Sequence, residues 1–404
     1  MEPIHVLGAG SMGLLMAASI RVAFPSYPIR LLLRDNNNRR SLSSSSSPNG
    51  KLDVLVNLIQ NRRLRTVKVP AQIIRSNGNS GTIESNKFDA AATATSASEA
   101  LPQERKFRNV LVTTKAYQAV DALESIRDCL QFNSNTTDDS TTTPTTTNNN
   151  TTTTEPATQI VLLCNGAMAA RDDILSHFPE LNGANLHMAL TTHGAYREMA
   201  DPENEETASS SSSSSSITTT TPSIMMDVIH AGRGHICFPP ALRPWVDIFD
   251  RAGLQAGVLT ESEMQHQLWC KLAANCLINP LTALHQCTNG QVVHIPQWED
   301  WWRTIPEEVA HVAARVGQNE ANACETLDVA VLRQFCQDVI TATKDNRSSM
   351  LQDIKAGRRT EIDALNGYIV RRGDELGVNV PANRQLYEQI LALERSNYGT
   401  TSTS

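Results

Sequence analysis

Lys271, Asn275 and Asn279 recur every four residues in KLAANCLINPLTAL (residues 271–284), a stretch otherwise dominated by Leu, Ala, Ile and Cys. At a helical 100 degrees per residue the three lie within about 80 degrees of one another, while Leu268, Leu272 and Leu281 are expected in other directions. A lysine facing an enclosed cleft loses hydration, so its pKa falls toward the range where it donates a proton near neutral pH. Amides do not titrate, and they can orient a substrate without competing for that proton. Pro280 lacks an amide N–H and should bend the helix, freeing carbonyls for other partners. Periodicity leaves a second reading equally open, with Lys271 at a solvent edge and the asparagines bonded to nearby backbone.

Further downstream, RSSMLQDIKAGRRTEIDALNG offers the short hydroxyls of Ser348 and Ser349 and the carboxylate of Glu361. Gly357 marks a break between two helical stretches, which places Glu361 in or near the first turn of the second. A helix dipole stabilises a charged carboxylate there, so helix-start electrostatics is an alternative to a role in binding.

A third group lies at the N-terminus. Gly8, Gly10 and Gly13 in GAGSMG form the GxGxxG pattern, with a strand before it and a helix directly after. The first glycine permits a tight turn, the second lets a pyrophosphate approach the backbone, and the third allows close helix–strand packing. Free N–H groups at the helix start then face the phosphates, so Gly8, Ala9, Gly10, Ser11, Met12 and Gly13 are the candidate dinucleotide loop. The second strand, IRLLLRD, ends in Arg34, which can pair with the 2′-phosphate of NADP; Asp35 follows and keeps NAD open, as does a solvated loop role for Arg34. Two further strand ends carry polar residues at the ligand-binding edge of a parallel sheet: Lys115 in VLVTTK and Asn165 in VLLCNG. A snorkelling surface lysine and simple turn chemistry are the alternatives.

The elements that must position these residues divide the chain in two. Short β-rich runs (IHVLGAG, IRLLLR, VKVPAQII, NVLVTTK, IVLLCNG) alternate with helical stretches, the mark of a parallel sheet covered on both faces. From Leu259 onward the patterns are helical, over Glu261–His285, Trp301–Glu325, Asp328–Lys344 and Glu361–Leu376. The expected organisation is an α/β Rossmann-type domain over residues 1–258 and an all-helical domain over 259–404. Segments rich in Ser, Thr, Asn or Ala, at about 36–50, 76–103, 133–158 and 201–223, bury too little apolar surface to offset chain entropy and read as disordered insertions. Without them roughly 310 residues remain, still enough for two domains.

Bulk composition narrows the function. The net charge of -7 and scattered basic residues point to neither a nucleic-acid nor a membrane-surface partner. The 8 cysteines form no CxxC pair and mostly sit in apolar runs, as buried free thiols of a reducing compartment would. The 10 histidines show no metal-ligand spacing, and no metal is expected. With no targeting signal and no run long enough to span a membrane, the expectation is a soluble cytoplasmic protein with a small-molecule substrate, a monomer or homodimer.

LGAGSMG, TTKAYQ, CNGAM, TTHGA, LWCKLAANCLINPLTAL and SSMLQDIKAGRRTEIDALNGYIVRRG, in this order, resemble the ketopantoate reductase (2-dehydropantoate 2-reductase) family. The likeness covers the chain apart from the insertions. It implies a Rossmann domain followed by a helical domain like the C-terminal domain of 6-phosphogluconate dehydrogenase, with the site between them. It further implies NADPH-dependent reduction of 2-dehydropantoate to pantoate, in pantothenate and coenzyme A biosynthesis. On the matching positions, the glycine loop, Arg34 and Lys115 would hold NADP, and Asn165 would stand where cofactor and substrate meet. Lys271 would be the catalytic lysine, Asn275 and Asn279 substrate-orienting amides, and Ser349 and Glu361 would hold the substrate from the opposite side. Alternatives are a related NADP-dependent reductase of another 2-keto or 3-keto acid, and a non-catalytic NADP-sensing protein.

Overall fold

The computed structural model describes residues 2–34, 51–60, 63–74, 106–132, 156–181, 184–197, 223–319 and 327–400. The four expected insertions lie outside the described residues except at their ends. Ser223 opens a strand, and Pro156–Thr158 belong to the fold. Thr158 is buried; its hydroxyl donates to Phe107 O (2.6 Å) and accepts from Gln131 N (2.8 Å). Composition alone placed it in the Thr/Asn tract, whereas its two backbone partners tie it to the sheet.

The α/β part begins with β1 (Ile4–Leu7), α1 (Ser11–Ala23), β2 (Ile29–Arg34), β3 (Lys51–Gln60), β4 (Arg63–Ile74) and β5 (Asn109–Val112). It continues with α2 (Ala119–Glu124), β6 (Gln159–Leu162), α3 (Ala167–His177), β7 (Leu186–Met188), β8 (Leu190–Thr191) and β9 (Gly194–Tyr196). Then come β10 (Ser223–Gly232), β11 (Ile236–Phe238), α4 (Arg243–Phe249) and β12 (Ala256–Val258).

Among the described residues, nine strands form one sheet in the order β7-β6-β5-β1-β2-β4-β3-β10-β9, and β12-β11-β8 form a second. From β7 to β4 every pairing is parallel, as the strand–helix alternation predicts. Beyond β4 the sheet is mixed, since β3 and β9 run antiparallel to β4 and β10. β3 was not expected from sequence. Val54, Val56 and Leu58 are buried on one face, but Leu55 and Ile59 on the other face are apolar too, which masks the period of two. Chain order reverses around β1, where β2 and β5 lie on either side, so the carboxyl ends of β1, β2, β5 and β6 line one edge of the sheet.

The remaining elements are helical: α5 (Glu261–His285), α6 (Trp298–Asn319), α7 (Val329–Ala342), α8 (Ser349–Lys355), α9 (Asn366–Leu376) and α10 (Pro381–Thr400). α5 has the expected limits. Its start is set by a capping box in which Thr260 Oγ1 accepts from Glu263 N (3.3 Å) and Glu263 accepts from Thr260 N (2.8 Å). α6, α7, α8 and α10 all pack on α5, making it the central helix. Pro280 withholds the N–H that Cys276 O would receive within α5, and the buried Asn366 supplies the missing donor through Nδ2 (3.0 Å). One hydrophobic core runs from the β5–β6 face with α2 and α3 into the helical elements, so the two parts share an apolar contact. A second core joins the opposite sheet face to α1 and α4. No helix among the described residues is long and apolar enough to cross a membrane.

Candidate active site

At the end of β1 the chain turns through Gly8 with φ 114°, a conformation that glycine tolerates best. A Cβ on Gly13 would stand 2.1 Å from Gly8 O and 2.5 Å from Thr113 Oγ1, so only hydrogen fits there. On Gly10 the nearest atom would be Thr113 O at 3.9 Å, so this backbone is not packed against protein. Gly10 caps α1 without a side-chain bond, and the first turn carries no acidic residue. A diphosphate fits these features: an accessible glycine backbone beside an N-terminus whose N–H groups are not taken by a capping side chain. Ala9 and Met12 pack against the core under the loop, and Ser11 begins α1. Arg34 closes β2 opposite Ile74, while Asp35 lies outside the described residues.

Lys115 follows β5 and crosses to the helical part. Its Nζ donates to Asp353 Oδ2 (2.7 Å) in α8 and to Glu361 Oε2 (3.3 Å). Glu361 also accepts from Ala116 N (3.1 Å) and Asn165 Nδ2 (3.3 Å). The expected place of Glu361 in the first turn of a helix is not met: it precedes a short 3-10 turn, Ile362–Ala364, that makes no bond to the carboxylate, and α9 starts only at Asn366, so Glu361 is held by the strand ends of the other domain. Burial pulls the Lys115 ammonium down, but the Glu361 and Asp353 charges and their hydrogen bonds outweigh it and leave the pKa above the ordinary lysine value. Beside this clasp Arg359 stacks over the Tyr117 ring at 4.5 Å.

Lys271 crosses in the opposite direction. From the middle of α5 its Nζ donates to Thr191 O (2.9 Å) of β8. Burial lowers its pKa, opposed by the Cys164 and Glu361 groups, as a lysine facing a cleft requires. Cys164 is pushed the other way, up to about 12, chiefly by burial, so it is a neutral thiol at neutral pH.

A small pocket lies between the two parts, lined by Asn165 and Gly166 on one side and Leu268, Lys271, Leu272 and Asn275 on the other. Leu268 and Leu272 thus share the face of Lys271, contrary to the directions expected from simple rotation; positions 268, 271, 272 and 275 form one helical stripe. Asn279 is buried outside that lining, and Ser349 is half-buried at the start of α8. The neighbouring Ser348 ties α8 to α5, since Thr282 Oγ1 donates to its Oγ (2.7 Å). The structure therefore brings Lys115, Asn165, Glu361, Lys271 and Asn275 to one junction and leaves Asn279 and Ser349 at its margin. Asp353 and the Thr191 carbonyl were missed. Asp353 carried a signal, a carboxylate inside the apolar run of a short buried helix, which requires a partner; a backbone carbonyl carries none.

The chain is similar to known proteins in sequence and in fold. The family model for ketopantoate reductase matches residues 51–137, and its C-terminal counterpart matches 263–394. The 2-dehydropantoate 2-reductase of Shigella flexneri is 32% identical over 285 residues, which is 70% of this chain and 72% of that protein. The chain belongs to the ketopantoate reductase family. The Vibrio cholerae serotype O1 member is 37% identical over 238 residues, 57% of this chain and 66% of that protein. In fold, the chain is similar to the PanE/ApbA family ketopantoate reductase of Ralstonia eutropha JMP134, with a TM-score of 0.62, 21% identity, and 98% of this chain and 99% of that one covered. It is also similar to D-mandelate dehydrogenase bound to NADH and anilino(oxo)acetate, with a TM-score of 0.63, 18% identity and the same coverage of 98% and 99%. Membership places the chain among oxidoreductases and accounts for a Rossmann-like domain followed by a helical one.

Proposed function

We propose that this protein reduces 2-dehydropantoate to pantoate with NADPH, the pantoate-forming step of pantothenate and coenzyme A biosynthesis. In this reading residues 1–258 bind the nucleotide and 259–404 supply most of the substrate site. The observation that carries it is the junction itself: a lysine of lowered pKa and an amide on one wall, and on the other Asn165, which donates to a buried, multiply hydrogen-bonded carboxylate. When bound, NADPH supplies the hydride that reaches the ketone carbon.

The chain's own residues handle the charge and the proton. Negative charge develops on the ketone oxygen, and Lys271 Nζ, transferred from Thr191 O to that oxygen, stabilises and then protonates it. Asn275 orients the reacting end without titrating. Glu361 accepts a hydrogen bond from the terminal hydroxyl of the substrate, with Ser349 and Asn279 holding the remaining polar atoms from the margin. A keto acid lacking that hydroxyl forgoes this hydrogen bond to a buried carboxylate, which sets the selectivity. Around the cofactor, Gly8–Gly13 take the diphosphate, Arg34 the 2′-phosphate, and Lys115 with Asn165 stand where nucleotide meets substrate.

Steady-state NADPH oxidation with ketopantoate, set against keto acids without the hydroxyl, tests the assignment. Ketopantoate is expected to be preferred by about 100-fold or more in kcat/KM. Lys271→Ala is expected to lower turnover by roughly two to four orders of magnitude. A near-normal rate in that variant would remove Lys271 from the mechanism. Arg34→Ala should weaken NADPH more than NADH, and equal effects would mean that Arg34 does not read the phosphate.

A further inference from the structure

His193 and His230 belong to the runs TTHGA and VIHAG, which the mechanism leaves unexplained. Both are buried, and their rings meet edge to face at 4.9 Å. His193 Nε2 lies 2.9 Å from Leu254 O, an acceptor only, so that nitrogen carries the proton. His193 Nδ1 must then be the lone-pair nitrogen, and it accepts from Gly234 N (3.1 Å) and from His230 Nε2 (3.0 Å). His230 Nδ1 in turn accepts from the Gln60 amide (3.0 Å). The result is a one-directional chain from Gln60 through His230 and His193 to Leu254, in which both rings are neutral and each has a single allowed tautomer.

We propose that His193, oriented by His230, is a positioning residue for Lys271: it fixes the turn whose Thr191 carbonyl receives the lysine ammonium. The proposal deepens the reading of Lys271 as the proton donor and rests on it. His193 N donates to Thr191 Oγ1 (3.2 Å), Thr191 Oγ1 donates to His235 O (3.2 Å), and Thr192 N donates to the same carbonyl (3.0 Å). Gly234 presses so closely that a Cβ there would lie 2.4 Å from Thr192 C, and the His193 ring holds this glycine by its N–H. Ile236, opposite Thr191 in the β8–β11 pair, gives its N–H away from β8, to Gln255 O before β12 (3.2 Å), and Thr191 O receives Lys271. Without the His193 ring nothing in this network ties the turn to Leu254 and β10 at once.

The groups facing the pair favour neutrality. His193 is faced by His230, His235 and Arg233, and His230 by His193 and Arg233. Burial is the main cause that lowers both rings, His230 to about 4, and the Arg233 charge adds to it, while the Leu254 carbonyl pulls His193 the other way. A second proton on His193 would turn its Nδ1–H against two donors, so the chain holds at neutral pH and fails in acid.

The test follows the titration of Lys271 directly, in the full chain labelled with 13Cε-lysine and assigned with Lys271→Arg. A carbonyl acceptor favours the ammonium form, so losing its fixed position should lower the Lys271 midpoint. His193→Phe is expected to shift it down on the order of one pH unit. His193→Asn, which keeps an acceptor oxygen near the Nδ1 position, should shift it less. His230→Phe, which removes one donor, should produce a smaller shift in the same direction and carries the measurement if His193→Phe does not fold. With ketopantoate and NADPH, turnover in His193→Phe should fall roughly 10- to 100-fold with KM for NADPH within about twofold. An unshifted Lys271 midpoint in a folded variant overturns the proposal. If the wild-type chain does not reduce ketopantoate, the functional reading fails, yet the Lys271 midpoint still decides whether His193 positions the lysine.

Discussion

Removing the Lys115 charge tests whether the cross-domain clasp is a buried interaction or a surface one. Asp353 and Glu361 side chains are only 5% and 6% exposed, and Lys115 is 31% exposed. Lys115→Met keeps the aliphatic stem and deletes the ammonium. Breaking a buried ion pair costs about 3–5 kcal/mol when the remaining charge has no other partner. Here Asp353 keeps Arg358 Nε (3.0 Å), and Glu361 keeps Ala116 N and Asn165 Nδ2. The lysine is also partly solvated, so the expected loss is lower, about 2–3 kcal/mol. At about 2–4 °C per kcal/mol for a domain of roughly 150–250 residues, that is a Tm drop of about 4–12 °C. The assay is urea unfolding at neutral pH, run as a double-mutant cycle with Asp353→Asn at low and high salt. The Lys115–Asp353 coupling should be about 1.5–2 kcal/mol and nearly insensitive to salt, because screening acts mainly on exposed charges. The pKa of Lys115 is raised, so its contribution is complete below the unfolded lysine value and lost only as pH rises through the higher folded one. A coupling below about 0.5 kcal/mol that fades with salt is the signature of an exposed pair and would refute the reasoning.

Lys271 should behave oppositely. Its folded pKa is lowered, so between that value and the ordinary lysine value the unfolded state binds more protons and stability rises with pH. Lys271→Met should remove this rise and gain about 1 kcal/mol at neutral pH; a variant less stable than wild type there would contradict it. The two glycines separate fold from cofactor: Gly13→Ala should destabilise by roughly 1–3 kcal/mol because its Cβ would overlap Gly8 O, whereas Gly10→Ala should fold normally and bind NADPH at least about 10-fold more weakly by fluorescence titration. Unchanged NADPH affinity in Gly10→Ala would place the diphosphate elsewhere. Asn366→Leu strands the Cys276 carbonyl that Pro280 has freed, and denaturant unfolding should show a loss of about 2–3 kcal/mol; a loss under about 0.5 kcal/mol would mean that water replaces the amide.

Local pattern alone determined much of this protein. The glycine loop, the limits of α5, the break at Gly357 and the carbonyl freed by Pro280 depend on residues within a few positions of one another. So does the alternation of strand and helix that places Lys115 and Asn165 at strand ends. Tertiary structure decided what each charged group touches. That Lys115 meets Asp353 across 238 residues, that Lys271 docks on Thr191 O across 80, and that Glu361 draws its donors from positions 115, 116 and 165 follows from how the helical domain seats on the sheet edge. The pairing of β3 and β9 into a mixed sheet was decided there too. Periodicity records which face of an element is apolar, but contacts between distant segments are chosen by packing and by the need to pair each buried polar group, and neither leaves a local trace in the chain.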